Sequence, residues 1–308
     1  MTAVQRRVPD TAAGSVLVRD LLAGPVRPAS VVAAGTAATY LDVGGRLLAV
    51  VRPGGVRLPC AVVLTGHRSP GGPGASDAGL GGGPDLAVGD GTVRCTGEPV
   101  VVVTRWFDPR VRVRLVDPAA VDRLAAGVRT RVRSDALLPA DAAERLGDEL
   151  GRGDATAAAR ALLGRGTGLT PAGDDLLAGA LAALRAVGSP AADDLGAAVR
   201  ALAPVRTTRL SAALLEAADL GAVVPEAAAV LRASAPGAAA VRPERGAGAL
   251  DAAIDRLVGL GHTSGWHLAA GLLVGLTHAE RAAVAAMAPT RSRSGGPGLP
   301  GCLVGGRP

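Results

Sequence analysis

The amino-acid sequence changes its pattern near residue 115, and this change limits the chain to folds built from two different halves. In residues 1–115, short runs rich in Val and Leu are separated by Gly, Pro and Asp, which is typical of strands joined by turns. In residues 116–290, Ala and Leu recur at helical spacing. The pattern predicts an α+β fold, in which a β-rich, barrel-like or sandwich-like half is followed by a mainly α-helical half.

Turn signals in the first half favour an antiparallel arrangement of its strands. Asp42–Arg46 reads Asp-Val-Gly-Gly-Arg, and a Gly-Gly pair between two apolar runs predicts a hairpin. Residues 66–84 and 291–308 are so rich in Gly, Pro and Ser that we expect a disordered insertion and a disordered tail. The predicted strands are Ser15–Leu21, Ser30–Ala34, Thr39–Val43, Arg46–Val51, Ala61–Thr65, Thr92–Cys95 and Val100–Arg105.

The formal charge of +6 is carried by arginine, since the chain contains no lysine. We do not expect nucleic-acid binding, because aromatic residues make up 1% of the chain and no nucleic-acid-binding motif occurs. The three cysteines are widely spaced and indicate neither a disulfide framework nor a zinc site. The N-terminus is a poor signal peptide and no apolar run reaches the ~18–20 residues of a membrane span. We therefore expect a cytoplasmic protein without a membrane partner.

The glycine-rich stretch Gly164–Asp175 is the first candidate site. Its alternating glycines allow positive φ and close approach to a ligand, Thr170 is expected to cap the next helix, and free amides there favour an anion. Asp174 and Asp175 follow within about one turn, and their carboxylates would repel a phosphate or carboxylate bound at the loop. A Mg²⁺ ion held by both aspartates would remove this repulsion. The alternative is a tight turn before a capped helix with stabilising acidic residues. The predicted ligand-binding residues are Gly166, Gly168, Thr170 and Gly173.

A second loop, residues 261–265, also begins a helix and reads Gly-His-Thr-Ser-Gly. The helices after the two loops share glycines at matching positions, and a helical glycine costs roughly 1 kcal/mol unless close packing compensates. We therefore predict that the helices cross near Gly179 and Gly271 or Gly275, with their loops forming one pocket. His262 can titrate near neutral pH, although a histidine in a turn is often structural. The predicted ligand-binding residues here are Thr263, Ser264 and Gly265.

A third polar cluster precedes another predicted helix. Thr207 and Thr208 suit a helix cap, with Ser211 about one turn further along. The same three residues could instead donate hydrogen bonds to a carboxylate or phosphate, with arginines beside them. Both interpretations are open from the sequence.

The segment Gly166–Gly179 reads Gly-x-Gly-Leu-Thr-Pro-x-Gly-Asp-Asp-x-Leu-x-Gly and resembles the signature of a bacterial family that includes the AllH subunit of oxamate carbamoyltransferase. Residues 207–211 and 261–265 resemble the family's downstream motifs in order and spacing. The resemblance implies a subunit, acting with other carbamoyltransferase subunits in allantoin and purine nitrogen breakdown, that helps to convert oxalurate and phosphate to oxamate and carbamoyl phosphate. It also implies a small anionic substrate.

On this basis Asp174 and Asp175 are expected to hold Mg²⁺ and, with His262, to act in catalysis, mainly through positioning and charge stabilisation. Two alternatives are open from the sequence. The chain could be a stand-alone enzyme for a phosphorylated or carboxylated metabolite, or a non-catalytic regulatory subunit that binds a metabolite.

Overall fold

The computed structural model describes residues 8–65, 85–113, 116–131, 138–139, 141–236 and 248–287. The predicted insertion at 66–84 and tail at 291–308 lie outside these residues. Within them, a β-barrel is followed by a mostly helical half, which confirms the predicted fold class.

Eight strands in the described part of the chain close into a barrel in the order β1-β5-β4-β3-β2-β6-β7-β8. Most neighbours are antiparallel, but β1 pairs with β8 and β4 pairs with β5 in parallel. The expectation of an antiparallel arrangement is wrong at these two seams, because residues 52–60 cross back before β5 and the barrel closes between its first and last strands. The strands are β1 (Asp10–Ser15), β2 (Arg27–Ala34), β3 (Ala38–Val43), β4 (Arg46–Val51), β5 (Ala61–Leu64), β6 (Leu86–Gly89), β7 (Thr92–Cys95) and β8 (Glu98–Phe107).

The predicted Gly-Gly hairpin joins β3 to β4. Gly44 and Gly45 have φ of +60° and +87°, values that favour glycine. The Gly45 amide donates to Asp42 Oδ1 at 2.7 Å. Register therefore follows the turn, with Val43 opposite Arg46 and Ala38 opposite Val51.

The predicted strand Ser15–Leu21 is wrong. After β1, a 3₁₀ turn (Val16–Val18) leads into the short helix α1 (Arg19–Ala23), and Ser15 Oγ accepts from the Leu17 amide at 3.2 Å. Leu21 and Leu22 are fully buried in the barrel core. An apolar run this short fits the periodicity of a strand and that of a helix equally well. Here the helix forms because it buries these side chains against the barrel.

The second half consists of helices whose core is made mainly of Ala, Leu and Val. Pro225 and Pro118 occupy first-turn positions, and the Asp117 side chain caps the helix after it by accepting from the Ala119 amide at 3.0 Å. The helices are α2 (Pro118–Thr130), α3 (Ala142–Arg152), α4 (Ala155–Leu162), α5 (Ala172–Val187), α6 (Ala191–Arg206), α7 (Arg209–Asp219), α8 (Pro225–Ala233), α9 (Gly248–Val258) and α10 (Ser264–Met287).

Helix α7 connects the two halves. Leu210 belongs to the barrel core, whereas Leu215 and Ala218 belong to the helical core. An ion pair between Arg209 and Asp42 adds a polar contact with the β3–β4 hairpin. The two cores therefore share one element.

Helix α10 is long and apolar enough to span a membrane, contrary to the expectation that no segment is. Ser264–Ala286 comprises 23 residues with a mean hydropathy of 1.2 in its most apolar window, so length and composition alone would allow a span. Core helices of soluble proteins meet the same criterion, and the first half of α10 is packed against α5.

Candidate functional site

The site is organised by the crossing of α5 and α10. A Cβ atom on Gly179 would lie 2.8 Å from the Leu272 nitrogen, and one on Gly271 would lie 2.9 Å from the Ala180 nitrogen. A Cβ on Gly275 would lie 2.5 Å from the Ala180 oxygen. The backbones touch at glycines, which confirms the predicted crossing and brings the first turns of both helices together.

The loop before α5 takes the glycine conformations that its sequence predicts. The φ angles of Gly164, Gly166 and Gly168 are +74°, +113° and +92°. A Cβ on Gly166 would lie 2.7 Å from the Ala172 nitrogen, so the loop folds closely over the helix start. The cap differs from the prediction: α5 begins at Ala172 with Pro171 as its N-cap, so Thr170 lies one residue before it and does not cap the helix.

Asp174 holds this loop in place. The residue is 1% exposed, its Oδ1 accepts from the Gly164 amide at 2.8 Å, and its Oδ2 accepts from the Thr207 hydroxyl. Both carboxylate oxygens are therefore engaged by the protein. Asp174 ties the glycine-rich loop to the end of α6, and this tie needs no ligand.

Asp175 is different, although it is the next residue. The residue is 8% exposed, and its Oδ2 is buried without a hydrogen-bond partner among the described residues. Burial raises the pKa of Asp175 to about 8, and the negative charge of Asp174 adds to this, while hydrogen bonds from Ser264 and Thr170 act in the opposite direction. A buried carboxyl group with a near-neutral pKa is typical of functional sites.

The hydroxyl groups of Thr170 and Ser264 meet at 2.9 Å beside Asp175. Thr170 comes from the first predicted loop and Ser264 from the second. Their contact places the two loops side by side, as the sequence predicts.

A cavity of about 300 Å³, here called the junction cavity, lies where the barrel meets α5, α7 and the start of α10. Apolar side chains form most of its wall, including Leu58 from the barrel half and Leu214 and Leu268 from the helices. No Arg, Lys or His lies among the described residues that line it. The polar side chains in the wall are those of Tyr40, Thr170, Asp175 and Ser264.

The third predicted cluster acts as a cap in this structure. Thr208 Oγ1 accepts from the Ser211 amide at 3.0 Å and donates to the Leu169 carbonyl at 2.5 Å. Thr207 donates to Asp174, as described above. These threonines therefore position the glycine-rich loop and lie outside the wall of the junction cavity. Direct contact with a ligand stays a prediction for them.

The second predicted loop divides between the cavity and its surroundings. Ser264 and Gly265 line the cavity, and a Cβ on Gly265 would lie 3.0 Å from the Leu260 oxygen, so glycine is needed there. The Thr263 carbonyl accepts from the His267 amide at 3.2 Å. His262 is exposed and does not line the cavity, so its catalytic role stays a prediction.

Sequence reasoning did not select Tyr40 as a site residue. This side chain lies on β3. Burial raises its pKa, and the electrostatic effect of Cys60 adds to this in the same direction. The one signal available was its position as the only tyrosine of the chain, within an apolar strand. Tyr40 and Asp175 line the same cavity because the two halves of the chain pack against each other.

The magnesium site expected at Asp174 and Asp175 stays a prediction, and the geometry argues against these two residues forming it alone. Asp174 already accepts two hydrogen bonds, which leaves Asp175 as the carboxyl group on the cavity wall. The described residues contain no group of three or more His, Cys, Asp or Glu placed to hold a metal ion. Mg²⁺ prefers about six oxygen ligands, so one buried carboxyl group is a poor resident site.

Comparison with known proteins relates one part of the chain to a family. A family model described as oxamate carbamoyltransferase subunit AllH matches residues 162–276. The matched region contains the glycine-rich loop, Asp175, the Thr207–Ser211 segment and the second loop. No curated protein and no solved structure gave a significant match.

Proposed function

We propose that this chain is one subunit of an oxamate carbamoyltransferase-like enzyme, in which the glycine-rich loop and the junction cavity bind a small carbamoyl-bearing ligand. The match of residues 162–276 to the AllH family model supports the enzyme class. The observation that carries the assignment to this site is Asp175, a buried residue of the cavity wall whose Oδ2 atom has no hydrogen-bond partner among the described residues.

The proposed reaction requires proton transfer. When the carbamoyl group moves from oxalurate to phosphate, the bond between carbon and the oxamate nitrogen breaks and a carbon–oxygen bond to phosphate forms. The leaving nitrogen gains a proton and hydrogen phosphate loses one. A group whose pKa is near the working pH can both accept and donate this proton, and burial gives Asp175 such a pKa.

The remaining residues have supporting roles in this proposal. Thr170 and Ser264 orient the Asp175 carboxyl group through their hydroxyl groups. Asp174 and Thr207 hold the glycine-rich loop closed over the start of α5. Gly166 and Gly168, on the exposed part of that loop, are proposed to approach the charged end of the ligand.

The test uses the full chain, first alone and then co-purified with its partner subunits. We expect the chain alone to bind oxamate or carbamoyl phosphate by calorimetric titration, and the assembled complex to form carbamoyl phosphate. Each titration is run with and without Mg²⁺, which tests the metal prediction separately. Turnover by the chain alone would favour the stand-alone enzyme.

Asp175→Asn should lower turnover of the assembled complex by about 10²–10⁴-fold, because the variant cannot transfer the proton. Asp194→Asn is the matched control, since Asp194 also lies in the first turn of a helix but is exposed. Turnover of this control should be unchanged. Full activity of Asp175→Asn would contradict the catalytic role and favour a regulatory subunit.

A further inference from the structure

We propose that the junction cavity receives the uncharged amide end of the ligand, paired with the Asp175 carboxyl group, and excludes its carboxylate or phosphate end. This inference rests on the proposed function and adds which part of the ligand enters the cavity. It also revises the expectation that an anion is bound there.

The composition of the cavity wall disfavours an anion. The described wall residues include no cationic side chain, and their one acidic residue is Asp175. Transfer of an unpaired anion from water into such surroundings is unfavourable. Phosphate or carboxylate would meet apolar side chains on most sides.

The start of α5 offers few free amides to offset that cost. The Gly173 amide donates to the Arg165 carbonyl at 2.8 Å. The amides of Asp174 and Asp175 donate to the Pro171 carbonyl at 2.9 and 3.2 Å. The first turn therefore uses these donors within the protein, so the usual anion site of a helix N-terminus is largely absent here.

The hydrogen-bonding capacity of Asp175 fits an amide instead. A neutral carboxyl group has one donor and one acceptor side by side, and a primary amide has the complementary pair. Asp175 Oδ2 is buried without a partner among the described residues, and the neighbouring hydroxyl groups of Thr170 and Ser264 fix the carboxyl group. A mostly apolar wall without a cationic side chain favours the neutral form of this carboxyl group.

The charged end of the ligand then has a place outside the cavity. Leu169 and Thr170 lie on the wall of the cavity, and Leu169 is 51% exposed. Residues 165–169 continue from there as an exposed loop with positive φ at Gly166 and Gly168. A short molecule with an amide at one end and an anion at the other would span from Asp175 to this loop.

Three probes of nearly equal shape test the inference: propionamide, propionate and propionamidinium, which are neutral, anionic and cationic. Their binding to the full chain at pH 7 is measured by ligand-observed NMR titration. We expect propionamide to bind at least tenfold more tightly than propionate. Equal or tighter binding of propionate, or tighter binding of propionamidinium, would overturn the inference.

Two substitutions at Asp175 distinguish hydrogen bonding from simple cavity filling. Asn also carries one donor and one acceptor, so Asp175→Asn should keep propionamide binding within about threefold. Asp175→Leu keeps the branching of the side chain without either group and should lose at least tenfold, whereas Asp194→Asn should leave binding unchanged. Unaltered amide binding in Asp175→Leu would contradict the inference.

These outcomes separate the inference from the proposed function. If the complex forms carbamoyl phosphate but the chain shows no preference for propionamide, the inference fails and the function stands. If the chain prefers propionamide through Asp175 but no complex acts on oxamate or carbamoyl phosphate, the function fails and the cavity still selects amides.

Discussion

Two adjacent aspartates at the start of α5 have opposite effects on the stability of this protein. Asp174 is buried with both oxygens hydrogen-bonded, so its polar atoms are satisfied within the protein. Asp175 is buried with one oxygen unpartnered in the described part of the chain, and burial raises its pKa from 3.8 to about 8. Between these pH values the unfolded chain releases the Asp175 proton and the folded chain keeps it. The free energy of unfolding therefore falls by up to about 1.4 kcal/mol per pH unit as the pH rises.

The same substitution should consequently have opposite signs at neighbouring positions. Asp175→Asn removes the ionisable group, so we expect a higher free energy of unfolding at about pH 7.5 and little change near pH 4. Asp174→Asn places an amide NH₂ where one acceptor is needed, and should cost about 1–3 kcal/mol at both pH values. Urea denaturation of both variants measures this. A less stable Asp175→Asn at pH 7.5 would show that the carboxyl group is compensated in a way that this geometry lacks.

At the residue scale, the sequence predicts what depends on near neighbours. The Thr208 cap of α7 was predictable, because its acceptor role involves Ser211, three positions away. The engagement of Asp174 was not, since Thr207 lies 33 positions along the chain and comes close only through helix packing. A pair of adjacent aspartates therefore looks like a metal site in the sequence, although one of them is a structural anchor.

The α5–α10 crossing is the element-scale feature on which the site depends. Gly271→Ala would place a methyl group 2.9 Å from the Ala180 nitrogen and 3.0 Å from Gly179 Cα, both backbone atoms. Because these are backbone atoms, the methyl group fits only if one helix shifts. We expect the free energy of unfolding to fall by about 1–3 kcal/mol, the usual cost of overpacking. The shifted helix starts should also separate Thr170 from Ser264 and weaken ligand binding. Urea denaturation and the propionamide titration measure the two effects.

Gly151→Ala in α3 is the control for this prediction. Gly151 is exposed, and a Cβ there would meet no atom within 4 Å. Alanine favours the helix by about 0.5–1 kcal/mol over glycine, so this variant should be slightly more stable. A Gly271→Ala variant as stable as Gly151→Ala would contradict close packing at the crossing.

For the helices, the informative signal in the sequence was the energetic cost of placing glycine inside a helix. Glycines at matching positions of two helices are unfavourable in isolation, so their presence predicted the crossing, and the structure confirms it. The run from Ser15 to Leu21 contained no such signal. Its apolar residues suit either a strand or a helix, and the choice is made by the barrel core that receives Leu21 and Leu22.

At the scale of the whole molecule, the pairings that matter join distant residues. The barrel closes when β1 pairs in parallel with β8, so Asp10 lies opposite Val101. Local turn signals contain no information on such a pair, which is why the strands were largely predictable and the closure was not. The junction cavity has the same origin. Tyr40 and Asp175 line it from opposite halves of the chain, and packing around α7 brings those halves together.

Because α7 contributes to both cores, we expect the two halves to unfold together. Each half holds one tryptophan: Trp106 in β8 and Trp266 in α10. The variants Trp266→Phe and Trp106→Phe therefore leave a fluorescent reporter in the barrel or the helical half alone. Their denaturation midpoints should coincide, since loss of either core exposes the apolar side of α7 that the other core needs.

The variant Leu210→Ala provides a stricter test of whether the two halves unfold together. Leu210 is 7% exposed and its side chain belongs to the barrel core, so its truncation should cost about 2–5 kcal/mol. If α7 couples the halves, this barrel-side change must lower the midpoints reported by both tryptophans equally. Val205→Ala, at an 83% exposed position of α6, should move neither. A shift confined to the Trp106 signal would instead show two independently folding halves, with the junction cavity formed between units that can separate.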